Sequence, residues 1–346
     1  MNTSAAKQLN LDAIADQLGV LQGSLKSRRL FLTGGTGFFG RWILETIAHL
    51  NACHDLNLSV VVLTRDADRF RSAVPSLARA KGIRFIQGDV VSFEFPSGKF
   101  DYVIHAATPV VAQSSSLELW NTITEGTRRV LDFSKEAGVE RFLLTSSGAI
   151  YGAQPPDLPF LPETYNGAPD TLVPTSTYGQ GKRAAEHLCS SYSFQYQLCC
   201  TVARCFAFVG PHLPLDAHFA IGNFIRDAMA GLPLQISGDG TPLRSYLYGS
   251  DLVVWLFTIL LKGRTMTAYN VGSDKPISIL ELAELVRREI NPQCEIRLGR
   301  TEVAGNPRQS YVPSIDRAKK DLGLEVTISL SDAVRMTSVW HKEIKK

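Results

Sequence analysis

The sequence predicts an α/β fold in which a doubly wound parallel sheet is followed by a smaller, mixed C-terminal portion. Through residues 29–209, short apolar runs alternate with helical segments, beginning with RLFLT, FGRWILETIAHL and SVVVLTR. This alternation is typical of a parallel sheet that helices cover on both faces. After Val209 it gives way to loops, short strands and further helices. Because open α/β sheets bind ligands at the carboxyl ends of their strands, we expect the C-terminal portion to lie over that edge.

We expect three parts along the chain. Residues 1–28 carry leucine and isoleucine at near-helical spacing, which predicts a helical extension laid on the main body. Residues 29–209 contain the parallel sheet. Residues 210–346 form most of a second domain, although the segment at about 243–272 is expected to return to the first.

Charge, cysteine content and hydropathy exclude several classes of protein. The 346 residues include 36 basic and 33 acidic side chains, which are interspersed and give a formal charge of +3. No binding surface for nucleic acid or membrane is therefore predicted. The six cysteines form no C-x-x-C pair, the longest apolar run (LVVWLFTILL) has about half of the roughly 20 residues that span a bilayer, and the N-terminus lacks the apolar core of an export signal. We expect a reduced, cytoplasmic protein without a zinc site.

The stretch LFLTGGTGFFGRW, residues 30–42, places Gly34, Gly37 and Gly40 between the first strand of the sheet and the helix that follows. Glycines permit a tight turn and let a pyrophosphate approach the backbone, while the start of the helix supplies free N–H groups. This context predicts a dinucleotide site. The alternative is a tight turn that binds no ligand.

The end of the second strand bears on the choice of cofactor. An acidic residue there would bind the ribose hydroxyls of NAD, whereas this chain has Thr64 and Arg65, and an arginine suits the additional phosphate of NADP. Asp66 follows directly. In the alternative interpretation, Arg65 is merely exposed and Asp66 caps a helix.

Tyr178 and Lys182 form a Y-x-x-x-K pair. Residues four apart share one face of a helix, so the Lys182 ammonium is expected to lower the pKa of the Tyr178 phenol and make it a usable acid or base. The preceding run LLTSSGAIYG adds the hydroxyls of Ser146 and Ser147 at the carboxyl end of a predicted strand.

Together these motifs closely resemble those of the extended short-chain dehydrogenase/reductase (SDR) family that modifies nucleotide sugars, and the resemblance covers nearly everything from Arg28 onwards. It implies a Rossmann domain that binds NAD(P), a nucleotide-sugar domain in the C-terminal portion, and a homodimer formed through helices that include that of Tyr178. Thr64 and Arg65 favour NADP(H) as the cofactor, with NAD(H) as the alternative. Ser147, Tyr178 and Lys182 are implied as the catalytic triad, with Ser147 also contacting the sugar. The residues implied in cofactor binding are Gly34, Gly37, Phe38, Phe39, Gly40, Thr64, Arg65, Asp89, Val90, Ala106, Ala107, Tyr178 and Lys182.

The segment GNFIRDAMAGLPLQISGDGTPLRSYLYGSDLV resembles the substrate-binding segment of the UDP-glucuronate decarboxylases in this family. The resemblance implies that Asn223 and Arg244 contact the pyrophosphate of the substrate and that Leu234 and Ile236 lie beside the base. An arginine suits a diphosphate because it provides charge-assisted hydrogen bonds. In the alternatives, Arg244 pairs with a surface carboxylate and Asn223 caps a helix. Nearer the C-terminus, Arg308 is a candidate for contacts with the nucleotide ribose.

Departures from the family narrow the predicted reaction. The related 4,6-dehydratases carry Asp-Glu directly after the serine or threonine, and the decarboxylases carry glutamate at the second position, but this chain has Gly148 and Ala149. Without a carboxylate, elimination lacks its acid and base. We therefore expect reduction of a 4-keto sugar nucleotide with Tyr178 as acid/base, or 4-epimerisation with retained NAD, ahead of dehydration or decarboxylation. The rival class is a cofactor-sensing binding protein without enzymatic activity.

Two stretches that contain histidine are assigned no metal-binding or catalytic role. His212, Asp216 and His218 lie close together in PHLPLDAHF, but in a loop, so no metal site is predicted. His105 ends an apolar strand and is interpreted as a hydrogen-bonded, partly buried side chain.

Overall fold

The computed structural model describes residues 3–108, 115–217, 219–299 and 309–344. The strands are, in chain order, β1 (Arg29–Thr33), β2 (Ser59–Thr64), β3 (Ile83–Gln87), β4 (Tyr102–His105), β5 (Arg141–Ser147), β6 (Cys199–Cys205), β7 (Phe208–Val209), β8 (Leu234–Ile236), β9 (Leu243–Arg244), β10 (Leu247–Tyr248), β11 (Ala268–Val271), β12 (Ile277–Ser278), β13 (Ile296–Leu298) and β14 (Ser310–Tyr311). The α-helices are α1 (Thr3–Leu18), α2 (Gln22–Leu25), α3 (Phe38–Cys53), α4 (Ala67–Ala73), α5 (Pro75–Ala78), α6 (Ser116–Glu136), α7 (Thr177–Tyr196), α8 (Ala220–Ala230), α9 (Gly249–Lys262), α10 (Ile279–Ile290), α11 (Asp316–Leu322) and α12 (Leu330–Ile344). Short 3-10 helices lie at Gly19–Leu21, Gly148–Tyr151 and Pro174–Ser176.

The main sheet has seven parallel strands in the order β3-β2-β1-β4-β5-β6-β11. The first strand, β1, lies in the middle of the sheet. β2 and β3 follow on one side of it, and β4 lies on its other side. The predicted doubly wound α/β fold is therefore confirmed. Adjacent carboxyl ends at the switch between β1 and β4 form the crevice in which this architecture binds ligands.

Both faces of the sheet are buried, which explains why its strands are continuous apolar runs rather than alternating ones. In β1, Leu30 and Leu32 pack into the core on the face covered by α3 and α9. Phe31 points to the opposite face, where Val130 of α6 and Ala185 of α7 complete a second core. The two layers of helices hold the strand ends in fixed positions.

The N-terminal residues form α1, which packs against α3, α9 and α12. Ile14 and Leu18 are completely buried, so this helix contributes to the main core. Beyond α1, the carbonyl of Ser24 accepts a 2.7 Å hydrogen bond from the Tyr102 hydroxyl. The extension thereby buries apolar surface on the main body and is linked to β4.

The C-terminal portion contains small sheets and returns once to the main one. β8 pairs with β13, and β9 lies between β12 and β14. β11 forms the outer strand of the main sheet beside β6, and the apolar helix α9 packs under β5 and β6. Among the described residues, no helix combines the length and apolar character needed to cross a bilayer.

Candidate active site

The glycine loop joins β1 to α3 at the switch point of the sheet. Gly34 has a φ of +73°, and a Cβ there would clash with the carbonyl of Ala106 at the end of β4. A Cβ at Gly40 would clash with the backbone of Gly35, which lets the first turn of α3 lie directly on the loop. These close approaches require glycine whether or not a ligand binds.

Gly37 differs, because the packing of the protein does not require a glycine there. A Cβ at this position would meet the Gly34 carbonyl oxygen at 3.5 Å, which is an ordinary contact. Gly37 also precedes α3 without a side-chain cap, so the N–H groups of Phe38 and Phe39 open the helix uncapped. Free N–H groups beside a position without a side chain fit a pyrophosphate. The loop therefore suits the dinucleotide that the motif predicts.

Thr33 and His105 fix the backbone that faces this loop. The Thr33 hydroxyl oxygen accepts the N–H groups of Ala106 and Ala107, both at 3.1 Å, so its proton is donated to His105 Nδ1 at 2.7 Å. His105 then carries its proton on Nε2 and donates it to Thr127 at 3.1 Å. Burial lowers the pKa of His105 to about 3, which keeps the ring neutral. The interpretation of His105 as a hydrogen-bonded structural residue is confirmed, and its burial is complete rather than partial.

The residues predicted to contact the adenosine half of the dinucleotide cofactor lie at the carboxyl ends of β2 and β3. Asp66 caps α4, accepting the Arg69 N–H at 2.9 Å, and Arg65 is exposed without a hydrogen-bond or ion-pair partner among the described residues. The structure thus agrees with the alternative interpretation, in which Arg65 is merely exposed and Asp66 caps a helix. Asp89 is exposed, whereas Val90 is buried.

Ser147 and Lys182 come together where β5 ends and α7 begins. Lys182 is 3 % exposed, and its ammonium donates to the Thr145 carbonyl at 2.7 Å and to the Thr108 hydroxyl at 2.8 Å. The Ser147 Oγ accepts the Ala149 N–H at 3.1 Å, which caps the short helix after β5. These bonds hold both groups rigidly at the carboxyl edge of the sheet.

Tyr178 lies beside both groups, hydrogen-bonded to Ser147 and with its ring centroid 5.9 Å from Lys182 Nζ. Burial raises the pKa of its phenol to about 12, although the bond to Ser147 opposes this. The prediction that Lys182 lowers the phenol pKa is therefore wrong for this structure. The reason is that burial lowers the pKa of Lys182 itself to about 8, and its ammonium is directed at Thr145 and Thr108.

Of the four residues in the C-terminal portion that are predicted to bind the nucleotide sugar, two line a common cavity. Asn223 and Ile236 line a cavity of about 240 Å³, whereas Leu234 is completely buried and is not part of its lining. Asn223 lies inside α8, not at its cap, and its Oδ1 accepts from Arg226 at 3.2 Å. Arg244 donates to the Leu243 carbonyl and has no carboxylate partner among the described residues. Neither structural alternative for Asn223 or Arg244 is observed.

Three residues of the site were missed by sequence reasoning. Thr108 accepts from Lys182, the Tyr311 hydroxyl lies against Gly148, and the Phe206 ring packs against Tyr311 with centroids 4.7 Å apart and planes tilted by 35°. Thr108 follows the IHAA motif directly and was within reach of a sequence argument. Phe206 directly follows β6 and was also within reach of such an argument, whereas Tyr311 had no such signal, because only the pairing of β14 with β9 brings it to this edge.

Two predicted positions, Arg308 and His218, lie outside the described residues. His212 is buried, with Nε2 3.2 Å from a carboxylate oxygen of Glu45. Within the described ranges, no cluster of three potential metal-binding side chains is present.

Comparison with known proteins identifies the family. Residues 30–272 match the family model described as NAD dependent epimerase/dehydratase family. The chain is 29 % identical over 309 residues to UDP-glucuronic acid decarboxylase 5 of Arabidopsis thaliana, covering 88 % of this chain and 87 % of the relative.

Solved structures reproduce the fold across nearly the whole chain. UDP-glucuronic acid 4-epimerase from Bacillus cereus, in complex with NAD, superimposes with a TM-score of 0.75 at 21 % identity, over 91 % of this chain and 96 % of the other. UDP-glucose 4-epimerase from Thermotoga maritima, solved with UDP-glucose, gives a TM-score of 0.73 at 23 % identity, over 92 % and 100 % of the two chains. The chain therefore belongs to the NAD-dependent epimerase/dehydratase family, the enzymes of the extended SDR type that act on nucleotide sugars, as its motifs predicted.

Proposed function

We propose that the protein uses NADP(H) to reduce the 4-keto group of a sugar linked to a nucleoside diphosphate. The observation that carries this proposal is the set of groups at the end of β5. Ser147 and Tyr178 offer hydroxyl protons and Lys182 offers a buried ammonium, whereas positions 148 and 149 carry no carboxylate. This set moves a proton to or from an oxygen but has no acidic side chain at 148 or 149 to remove one from carbon.

The protonation state of Tyr178 favours the reductive direction. With a pKa of about 12, the phenol holds its proton at neutral pH, which is the form that protonates a carbonyl oxygen. Lys182, whose pKa is about 8, is largely charged at neutral pH and would bind the nicotinamide ribose. When bound, the nicotinamide supplies the hydride for the sugar carbon.

Two partly buried carboxylates near this edge are already bound to other groups. Glu186 accepts from Arg204 Nη2 at 2.8 Å and from the Ser146 hydroxyl at 2.5 Å. Glu163 accepts the Asn270 N–H at 2.9 Å. Both carboxylates therefore stabilise the fold, and neither takes the place of the glutamate that dehydratases and decarboxylases use.

Recognition of the cofactor is assigned to the glycine loop and to Arg65. The space at Gly37 and the uncapped start of α3 support the binding of a pyrophosphate at the loop. Arg65 at the end of β2 has no partner among the described residues, so its guanidinium is available to a ribose phosphate. Asp89 and the backbone at Ala106 and Ala107 then border the adenine and the nicotinamide.

Recognition of the substrate is assigned to the region around the 240 Å³ cavity. Asn223 and Arg244 would hold the diphosphate, and Ile236 would lie against the base. Ser147 would hydrogen-bond the sugar oxygen at the reacting carbon. Relatives named for UDP-glucuronic acid and UDP-glucose support a nucleoside diphosphate sugar as the substrate class.

The second candidate is a 4-epimerase that retains NAD. It is favoured by the same observation, because removing and returning a hydride at one carbon also needs only a proton on the neighbouring oxygen. Several structural neighbours are 4-epimerases, among them that from Bacillus cereus in complex with NAD. The two reactions differ in whether the cofactor is consumed.

We further propose a homodimer that forms through α6 and α7. These helices pack together on one face of the sheet and expose large apolar side chains. Leu117 and Phe194 are 82 % and 87 % exposed, and Trp120 is 42 % exposed. Light scattering after size-exclusion chromatography is expected to give twice the chain mass, and a Leu117→Glu/Phe194→Glu variant the mass of one chain.

The test combines NADPH with a panel of nucleotide-linked 4-keto-6-deoxyhexoses, while nicotinamide absorbance and sugar products are followed together. The reductase consumes one NADPH for each new hydroxyl sugar. The epimerase interconverts ordinary nucleotide sugars without a change in absorbance. Tyr178→Phe is expected to abolish turnover and keep cofactor binding, because it removes only the proton donor.

Tyr192→Phe is the matched control. It lies about 21 Å further along the same helix and loses only a phenol that donates to Asp132 at 2.6 Å. Full activity in Tyr178→Phe, or no conversion of any sugar in either assay, would overturn the proposal.

A further inference from the structure

Arg41 follows the last glycine of the loop and lies in the first turn of α3. Its Nε donates to the Thr36 carbonyl at 3.3 Å, so the side chain lies back against the loop. The guanidinium lies over the ring of Phe70, 5.8 Å from the centroid, which is within the range of a cation–π contact. Phe70 is a buried residue of α4, the helix that Asp66 caps directly after β2. The guanidinium is therefore held between the glycine loop and the chain that leaves β2.

The contact with α4 also shows on which side of the loop Arg41 lies. β2 and β4 flank β1 on opposite sides. Towards β4, Gly34 approaches the Ala106 carbonyl, whereas Arg41 is directed towards the side of β2. In this architecture the end of the second strand receives the adenine ribose of a dinucleotide. An anionic group that Arg41 binds there would be a substituent of that ribose, and a phosphate at this position is what distinguishes NADPH from NADH.

The Arg41 guanidinium has donors that the described part of the protein does not use. Among the described residues it forms no ion pair, and only its Nε makes a hydrogen bond. The carboxylate of Glu45, one turn further along α3, lies 3.2 Å from His212 Nε2. Burial lowers the pKa of Arg41, because the guanidinium has lost part of its hydration, although the charge of Glu45 opposes this. An anion that accepts from the two terminal NH2 groups would replace the lost contacts with water.

The acidic side chains that follow β2 are engaged within α4. Asp66 accepts the N–H of Arg69 at 2.9 Å, and Asp68 forms an ion pair with Arg71 at 2.8 Å. A carboxylate that bound the ribose hydroxyls would repel a phosphate at the same position. Because both carboxylates bind within the helix instead, neither is arranged to select NAD.

We propose that Arg41 is a specificity-determining residue for the cofactor: held on the glycine loop, it binds the phosphate on the adenine ribose of NADPH together with Arg65. Guanidinium groups suit a phosphate because they present several N–H donors in a fixed plane. Thr36 and Phe70 position Arg41 before the cofactor arrives, so less conformational freedom is lost on binding. The inference rests on the proposed function only in the choice of NADP(H), and it holds whichever reaction the sugar undergoes.

The test compares the affinities of NADPH and NADH for the wild type and for Arg41→Met, which removes the charge but keeps an apolar stem against Phe70. Titrations follow nicotinamide fluorescence, so no turnover is needed. The Kd of NADPH is expected to rise about tenfold or more, the effect of losing a charge-assisted hydrogen bond. The Kd of NADH should stay the same, which also shows that the variant is folded. Equal losses for both cofactors would place Arg41 at the pyrophosphate that they share, and this result or an unchanged Kd of NADPH would overturn the proposal.

Fragments without nicotinamide or pyrophosphate isolate the ribose phosphate. Adenosine 2′,5′-bisphosphate carries this phosphate and AMP does not, so the ratio of their Kd values in calorimetry measures its contribution. Arg41→Met should reduce the preference for the bisphosphate about tenfold. Arg41→Lys, which keeps the charge but not the planar fork, should lose only part of the preference. A preference that is the same in Arg41→Met as in the wild type contradicts the proposed contact.

Arg84→Met is the matched control. Arg84 is an exposed residue near the start of β3, so it lies towards the amino ends of the strands, away from the glycine loop. Its replacement should leave the affinities of all four ligands unchanged. A loss of NADPH affinity equal to that of Arg41→Met would indicate a general effect of charge and refute the inference. A wild type without a preference for NADPH refutes both the inference and the choice of cofactor, whereas a failed search for sugar turnover refutes only the proposed reaction.

Discussion

Replacing Lys182 by methionine should change how stability depends on pH, because the ammonium is buried. The side chain is 3 % exposed, and burial lowers its pKa from 10.5 to about 8. The unfolded chain therefore binds a proton at Lys182 more readily than the folded chain does. Below about pH 8 the folded state is destabilised by the full free energy of burying the charged ammonium. This destabilisation disappears as the pH rises towards 10.5.

The size of the effect follows from the two pKa values. A difference of about 2.5 in pKa corresponds to about 3 kcal/mol. Lys182→Met also removes hydrogen bonds to Thr145 and Thr108, but the neutral amine makes similar bonds, so that loss depends little on pH. The free energy of unfolding of the wild type should therefore rise relative to that of Lys182→Met by about 3 kcal/mol between pH 7.5 and pH 10.5.

Urea denaturation of both proteins at a series of pH values measures this difference. Other titrating groups are common to both chains, so they cancel when the two curves are subtracted. Lys81→Met, at an exposed position, is the matched control and should give a difference that does not vary with pH. If the difference in free energy of unfolding between the wild type and Lys182→Met also does not vary with pH, the ammonium is not desolvated. Burial would then not explain why Lys182 does not lower the phenol pKa.

Three further predictions test the cofactor site and the core. Arg65→Ala should weaken NADPH binding about tenfold or more and leave NADH binding unchanged, since a charge-assisted hydrogen bond to the ribose phosphate is lost; equal effects on both cofactors in a fluorescence titration would contradict this role. Gly37→Ala should unfold at the same urea concentration as the wild type but bind NADPH at least tenfold more weakly, whereas Gly34→Ala should lose stability as well, because only the latter clashes with Ala106. Glu186→Gln should lower the free energy of unfolding by about 3 kcal/mol, because it leaves the guanidinium of Arg204, a side chain only 15 % exposed, without its carboxylate; a change below about 1 kcal/mol would argue against a buried pair.

Features that depend on local pattern were predictable from the sequence. The glycine loop, the alternation of strands and helices, and the spacing of Tyr178 and Lys182 each describe one continuous stretch of chain with its own geometry. The resemblance to a family then predicted that these stretches meet at one edge of the sheet. This was enough to predict the doubly wound sheet and its C-terminal helices and strands.

The electrostatics of the site were not predictable in the same way. Spacing places Lys182 one helical turn from Tyr178, but it does not tell how deeply either group is buried, and burial reversed the expected change in the phenol pKa. Tyr311 could not be found because β14 is only two residues long and has no periodicity. Its contact with Gly148 exists only once β14 has paired with β9.

Exchange of the cofactor is the physical property that separates the two candidate reactions, because both use the same acid at Tyr178. A reductase must release its oxidised cofactor after every turnover, whereas an epimerase returns the hydride and has no need to release it. Arg65 is exposed and is bound to no other described side chain, so its hydrogen bond to a ribose phosphate would form at the solvent edge of the site and break there without unfolding any part of the loop. Such a contact distinguishes NADPH from NADH while permitting rapid release, and this combination suits net reduction better than retention.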